Sequence, residues 1–507
     1  MTKHFLSRTA ALLLSLVPGL ATVWLILHYF NTDLMAFFPA YDVDQYMYAA
    51  EARTFAEAGF GGGYYGSGGA TARFLRFGPH GAAYPLLYGG AAWLLGGWRD
   101  WLAPFFNLVC VTTSLAYVAT AMSLGRFACL IAFVCLFPLT MQYMPLSYQE
   151  GLQFAVALAL AAQAAAYFGR LEAGTCRKRD VAKMLCVTFL ATFTRPTWAV
   201  LFPALCFARR EKGVLSAVYS LALGGVLLVA GYGFFTLFAS PWHITSGPSL
   251  VQGFLRLDFS PLTRLAGANL ASLLNFRDNA LHTLELLLIM GGSGLMILLA
   301  CCKRDGARSL GLAVFHACNV FAPLVVYVTA YNGTGYQLTR LVSAHFLLSF
   351  ALHLLTAPPG AAKLVVAPVL SVCLGLFPMS LKKFVLFTQP AYVDSAGYRE
   401  RVETLRREIA PHLLLTEKVG APWLRTLAVG VPDAPVTSLA APPFYGIQVY
   451  DDNALSTVMP VGFALLDKAA HDKASRFNAL TPIVETAYGV LYRNDAAFGS
   501  GAKRGQP

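Results

Sequence analysis

Charged side chains are scarce in this chain. Asp, Glu, Lys and Arg make up 13% of its 507 residues against 57% hydrophobic residues, and mean hydropathy is +0.56. A soluble domain carries about 25% charged residues, so an ordinary soluble globular protein is excluded. Between Arg126 and Arg170 the sole charge is Glu150. No Cys-x-x-Cys spacing occurs, and Cys301 and Cys302 are adjacent, which removes the usual zinc and dithiol redox motifs. The stretches 31–101, 240–281 and 382–507 contain no cysteine at all, so no structural disulfide is expected there. The glycine-rich run from Gly59 to Gly69 lacks the Gly-Lys-Ser/Thr ending of a phosphate loop, which leaves a mobile segment rather than a nucleotide site. The formal charge of +12 is spread as short basic clusters between apolar runs. That is the pattern of membrane topology, and it argues against a nucleic-acid partner.

What the chain does contain is a series of apolar runs long enough to cross a bilayer, whose hydrocarbon core of about 30 Å takes about 20 helical residues. Residues 9–30 are uncharged and follow Lys3 and Arg8, so the N-terminus is expected on the cytoplasmic side. The run continues through Trp24 to Leu27 without a small-residue cleavage site, as an uncleaved first helix does and a signal peptide does not. Further spans are expected at 103–125, 127–145, 151–169, 214–239, 282–302, 309–330, 338–356 and 364–381. Residues 184–208 are read as two short helices broken at Pro196, with Arg195 at the turn. The total is about eleven transmembrane helices. The loop 170–183 carries five basic and two acidic residues and belongs on the cytoplasmic side. Residues 31–101 then form a large external loop, in which Ala49 to Phe60 reads as an interfacial helix.

From Lys382 onward the composition changes, with 26 of the 64 charged residues in this last quarter. The expected division is a transmembrane domain over 1–381, including the external loop 31–101, and an external soluble domain over 382–507. In the tail, Arg399 to Ile409 reads as a polar helix, and Leu424 to Val431 and Gly489 to Tyr492 as strands of a small α/β or α+β fold.

Several residues are candidates for chemistry. Asp42 and Asp44 follow the first span directly, where a carboxylate serves either as a helix N-cap or as a general base at the membrane surface. Glu150 is either a helix-start acid favoured by the macrodipole or a functional boundary charge. Arg340, alone in an uncharged stretch, either snorkels toward headgroups or holds a phosphate through two donors. Arg195 divides in the same way between a turn residue and an anion ligand. His80 reads as a loop residue or a substrate ligand, and Glu285 as an in-span charge paired with another helix.

Taken in order, the motifs Asp44-Gln45-x-x-Tyr48-Ala49, Gly78-Pro79-His80 with Tyr84-Pro85, Tyr148-x-Glu150, Thr194-Arg195-Pro196-Thr197 and Arg340 form a layout. This layout resembles the GT-C superfamily of integral-membrane glycosyltransferases, which includes aminoarabinose transferases and protein O-mannosyltransferases. The resemblance covers the topology of about the first 360 residues and only short stretches of motif.

It implies a GT-C-like polytopic helical membrane protein of a bacterial inner membrane, with its C-terminal domain periplasmic. The implied activity is inverting transfer of a sugar from a polyprenyl-phosphate donor to a glycan, lipid or protein acceptor on the external face. Asp44 matches the family's first-loop Asp, while Gln45 stands where a Glu often follows; Asp42 is the candidate to replace that second carboxylate. Glu150 is then an assisting acid, Arg340 and Arg195 are donor-phosphate ligands, and Gln45, Tyr48, His80 and Tyr84 are substrate contacts. Some members use a divalent metal, for which Asp44 and Glu150 are the candidates here. A transporter or flippase of lipid-linked sugars is the alternative, although no internal repeat stands out; a noncatalytic assembly subunit is another.

Overall fold

In a computed structural model of the chain, the described residues are 2–29, 43–59, 64–67, 77, 80–99, 101–209, 213–239, 253, 255–273, 276–302, 307–330, 335–413, 426–431, 446–449, 455–459 and 461–499. Among them, eight helices are long and apolar enough to cross a membrane: Arg8–His28, Leu102–Ala119, Glu150–Glu172, Val214–Phe238, Ala280–Cys301, Leu310–Thr329, Gln337–Thr356 and Pro359–Lys383. Three shorter helical segments, Leu124–Leu136, Lys178–Thr194 and Pro196–Ala208, fill the remaining places where spans were expected. The protein is a polytopic helical membrane protein with a small sheet domain.

Proline sets the breaks. The run expected at 127–145 is two helices, Leu124–Leu136 and Pro138–Tyr143. Phe137 is extended between them, because the residue ahead of a proline is driven out of the helical region. The same effect at Arg195 (φ −159, ψ 125) ends Lys178–Thr194 and starts the tight 3-10 turn Pro196–Val200, which leads into Leu201–Ala208.

The chain divides into two compact units. The first comprises Met1–Leu34, Pro104–Phe235 and Ile244–Phe387 and holds most of the membrane helices. In Gln337–Thr356, 83% of the span is buried, against 17% in Val214–Phe238. The first is therefore the central helix, and the second presents its apolar side chains outward, as a lipid-facing helix does. Close approach of backbones is made possible by Gly224, where a Cβ would fall 2.3 Å from Pro203 Cα. Arg126 donates to the carbonyls of Leu354 and Ala357, both at 2.8 Å, and so satisfies the C-terminal end of Gly335–Thr356.

The second unit comprises Met35–Ala103, Thr236–His243 and Thr388–Pro507. It contains one six-stranded sheet: β1 Tyr64–Ser67, β2 Thr426–Gly430, β3 Gly446–Val449, β4 Phe463–Leu466, β5 Leu480–Glu485 and β6 Val490–Asn494. The spatial order is β1-β3-β2-β4-β6-β5, with β1, β3, β2 and β4 parallel and β6 antiparallel to both of its neighbours. Ala428, Leu455, Val461, Ala464 and Leu466 form its core with Ala470 and Ala474 of the helix Lys468–Ala474. Asp467 caps that helix by accepting from Ala470 N at 2.7 Å.

One reading of local structure is corrected by the sheet. The glycine-rich run expected to be a mobile segment supplies β1, which pairs in register with β3 from Tyr64 opposite Gly446 to Ser67 opposite Val449. The polar helix expected at 399–409 is present, as the end of one long helix, Pro359–Leu413, which continues from the last span through the composition change at Lys382.

Candidate functional site

Three of the residues singled out in the sequence meet inside the helical unit. Glu150 opens the helix Glu150–Glu172 and is fully buried. Arg195 Nη2 donates to its Oε1 at 2.6 Å, and Arg340 Nε lies 3.1 Å from the same oxygen. The Arg340 guanidinium also sits 4.8 Å from the centre of the Tyr148 ring. Glu150 Oε2 and Arg195 Nη1 are both buried and have no hydrogen-bond partner among the described residues.

Local sequence explains how each group is placed. Asn107 Nδ2 donates to the carbonyls of Met144 (3.2 Å) and Leu146 (2.8 Å), fixing the irregular chain just ahead of Glu150. Arg195 occupies the extended residue that Pro196 imposes, so its side chain leaves at a helix end. Arg340 lies in the second turn of Gly335–Thr356, with its side chain 14% exposed. Two cations against one carboxylate leave a formal excess of one positive charge in an apolar surrounding, where an anion is favoured.

A second row of polar groups lies behind this cluster, and the sequence reading missed it. Trp198 Nε1 donates to Gln153 Oε1 at 2.7 Å, and Gln153 also bonds Thr194. On the other side of the turn, His345 Nε2 meets Thr197 Oγ1 at 3.0 Å and Nδ1 meets Asn319 Oδ1 at 2.8 Å, while its ring lies 4.2 Å from that of Trp198. The available signal was spacing: Gln153 stands three residues after Glu150, on the same helical face, in an otherwise apolar run.

The first-loop candidates lie in the other unit. Asp42 is outside the described residues, and Asp44 is the second residue of the helix Val43–Ala58, in its first turn rather than ahead of it. Gln45 and Tyr48 of this helix are buried. Tyr48 packs against His80 (centroids 4.4 Å apart) and Tyr84 (5.0 Å), and Tyr84 stacks on Tyr88 at 4.0 Å. Gly89 permits this, since a Cβ there would fall 2.5 Å from Ala52 O. Tyr48, His80 and Tyr84 thus form one packed group, and the helix that carries Tyr48 also holds the buried Gln45 and the buried Glu51, a carboxylate not singled out from the sequence.

Glu285 belongs to a separate network. It accepts from Ser380 Oγ at 2.9 Å and pairs with His282 Nδ1 at 3.1 Å, and Lys383 Nζ lies 3.2 Å from His282 Nε2. The expected pairing with another helix is through Ser380. Among the described residues, no group of three or more His, Cys, Asp or Glu side chains gathers to hold a metal, and Glu150 Oε1 faces two guanidinium groups.

No family model and no curated protein matches this sequence. Among solved structures, the chain is similar to ArnT from Cupriavidus metallidurans bound to undecaprenyl phosphate, at 12% identity and a TM-score of 0.44, over 94% of this chain and 97% of that one. It is likewise similar to the apo state of the same protein, at 12% identity and a TM-score of 0.45, over 96% and 99% of the two chains.

Proposed function

We propose that this chain is an integral-membrane glycosyltransferase of the GT-C type, which moves a sugar from a polyprenyl-phosphate donor to an acceptor on the external face. The observation that carries this reading is the Glu150–Arg195–Arg340 cluster. A buried pair of guanidinium groups with one carboxylate is a costly arrangement for a structural role alone. It also keeps one Arg195 nitrogen without a partner among the described residues.

In the proposed reaction, the acceptor hydroxyl attacks the anomeric carbon from the face opposite the phosphate, giving inversion. The bond between that carbon and the phosphate oxygen breaks, and the oxygen keeps the electron pair. Arg340 and Arg195 stabilise the charge that develops on this leaving phosphate. Glu150 holds the two guanidinium groups together against their mutual repulsion. Asp44 is the general base that takes the hydroxyl proton, and Asp42 is its candidate helper. Gln45, Tyr48, His80 and Tyr84 are the proposed substrate contacts. No step here runs through a metal. In this reading the N-terminus is cytoplasmic, the segment 382–507 is a periplasmic domain, and the acceptor is a glycan, lipid or protein.

The test is sugar transfer from a polyprenyl-phosphate donor by the purified protein and its Asp44→Asn variant. The expected result is a loss of about 100-fold or more, the size of a general-base contribution, in a variant that melts like the parent. Full transfer by a folded Asp44→Asn variant would remove Asp44 from the mechanism. Movement of intact lipid-linked sugar across vesicles without transfer would favour a flippase.

A further inference from the structure

Arg195 is held by a turn, and the turn is held by two helices. The helix that carries Glu150 reaches it through Gln153, which bonds Trp198 and Thr194. The helix that carries Arg340 reaches it through His345, which meets Thr197. Behind His345 stands Asn319, whose Nδ2 points at two acceptors, His345 O at 2.6 Å and Ser349 Oγ at 2.9 Å.

That arrangement determines where the imidazole proton resides. A flipped Asn319 amide would set its oxygen against the backbone oxygen of His345, so Oδ1 must face the ring. Asn319 Oδ1 only accepts, hence His345 Nδ1 carries the proton. In the neutral ring Nε2 is then an acceptor, and the Thr197 hydroxyl donates to it. Thr197 is the second residue after Arg195, and the intervening Pro196 has its φ locked. The hydroxyl therefore anchors the segment from which the guanidinium projects.

We infer that His345 and Asn319 are positioning residues for Arg195: together they set the tautomer that receives Thr197 and so aim Arg195 at the donor phosphate. This inference rests on the proposed glycosyltransferase reading. Among the described residues neither hydrogen-bonds Glu150 or Arg195, and the seam of His345, Asn319 and Ser349 is buried among apolar helices, where an unmatched polar group is costly.

The experiment titrates a short-chain polyprenyl phosphate into the full-length protein in lipid nanodiscs and measures sugar transfer in parallel. Thr197→Val keeps the shape and removes the hydroxyl; Thr197→Ser keeps the hydroxyl; His345→Phe keeps a ring and removes both nitrogens. Thr197→Val and His345→Phe are each expected to weaken lipid-phosphate binding and raise the donor KM by about five- to tenfold, with kcat falling as well because Arg195 also stabilises the charge that develops on the leaving phosphate. Thr197→Ser should restore parental binding. The double variant should be no weaker than the poorer single one, since both remove the same bond.

Parental binding by folded Thr197→Val or His345→Phe, while Arg195→Gln binds weakly, would overturn the inference and leave the reading standing. Parental binding by Arg195→Gln and Arg340→Gln alike would overturn the reading and the inference with it. If Thr197→Val does not fold, the His345→Phe titration decides.

Discussion

Asn107 lies directly against Gly151, and a Cβ built on Gly151 would fall 2.3 Å from Asn107 Cγ and 2.7 Å from Asn107 Cβ. The absence of a side chain at 151 is what lets Asn107 reach the carbonyls ahead of Glu150. Gly151→Ala is therefore expected to destabilise the protein by about 1–3 kcal/mol, the usual cost of overpacking, and to disturb Glu150 as well. Thermal unfolding in detergent checks it. Asn107→Ala removes the two closest atoms, so the double variant should be less unstable than the sum of the singles.

Removing Glu150 should be worse for the fold than removing the whole cluster. Glu150→Ala leaves Arg195 and Arg340 without their shared carboxylate, and breaking a buried pair costs about 3–5 kcal/mol. A triple variant with Glu150→Ala, Arg195→Met and Arg340→Met should recover part of that stability while binding no lipid phosphate. Equal stability of Glu150→Ala and the parent would show that the ion pairs contribute nothing.

Arg126 closes the end of the central helix through two carbonyls, Leu354 and Ala357. Arg126→Met should cost about 1.5–3 kcal/mol, the range for hydrogen bonds to a charged donor. Arg126→Lys should fall between, because a single ammonium does not bridge the two acceptors as a planar fork does. Unfolding midpoints in that order support the capping role, and identical midpoints contradict it.

The sheet domain carries a pH signature at Asp495. The Thr481 hydroxyl and then the Arg493 guanidinium, whose Nε lies 2.6 Å away, lower its carboxyl below the ordinary value of 3.8. A carboxyl whose pKa is lower in the folded state stabilises the fold above its unfolded value, and that contribution is lost as pH falls through the folded value. Asp495→Asn should therefore melt below the parent from neutral pH down to about pH 4, with the gap closing at lower pH. A gap that widens on acidification would contradict the assignment.

How much of this was legible in the sequence depends on the range of the interaction. Membrane helices were readable because apolar length and local proline chemistry decide them, as the turn at Arg195 shows; the break at Phe137 was passed over because Pro138 sits inside an otherwise continuous apolar run. β1 was not, because Tyr64–Ser67 sits among glycines and becomes a strand only by pairing with β3, far along the chain. The helix Pro359–Leu413 was hidden by its change from apolar to charged composition, although a helix tolerates both. Glu150, Arg195 and Arg340 could each be picked out as isolated charges in apolar runs. Their convergence on one oxygen is tertiary, as is the link from Asn319 through His345 to Thr197.

The central claim is that the paired arginines of this cluster receive the phosphate of a lipid carrier. The most direct measurement compares binding of a polyprenyl phosphate with that of the uncharged polyprenol of equal length, for the parent and for Arg195→Gln and Arg340→Gln in nanodiscs. The account predicts that the parent prefers the phosphate by about tenfold or more and that each substitution erases most of the preference. Equal affinity of the parent for the two lipids, or a preference that survives both substitutions, would contradict it.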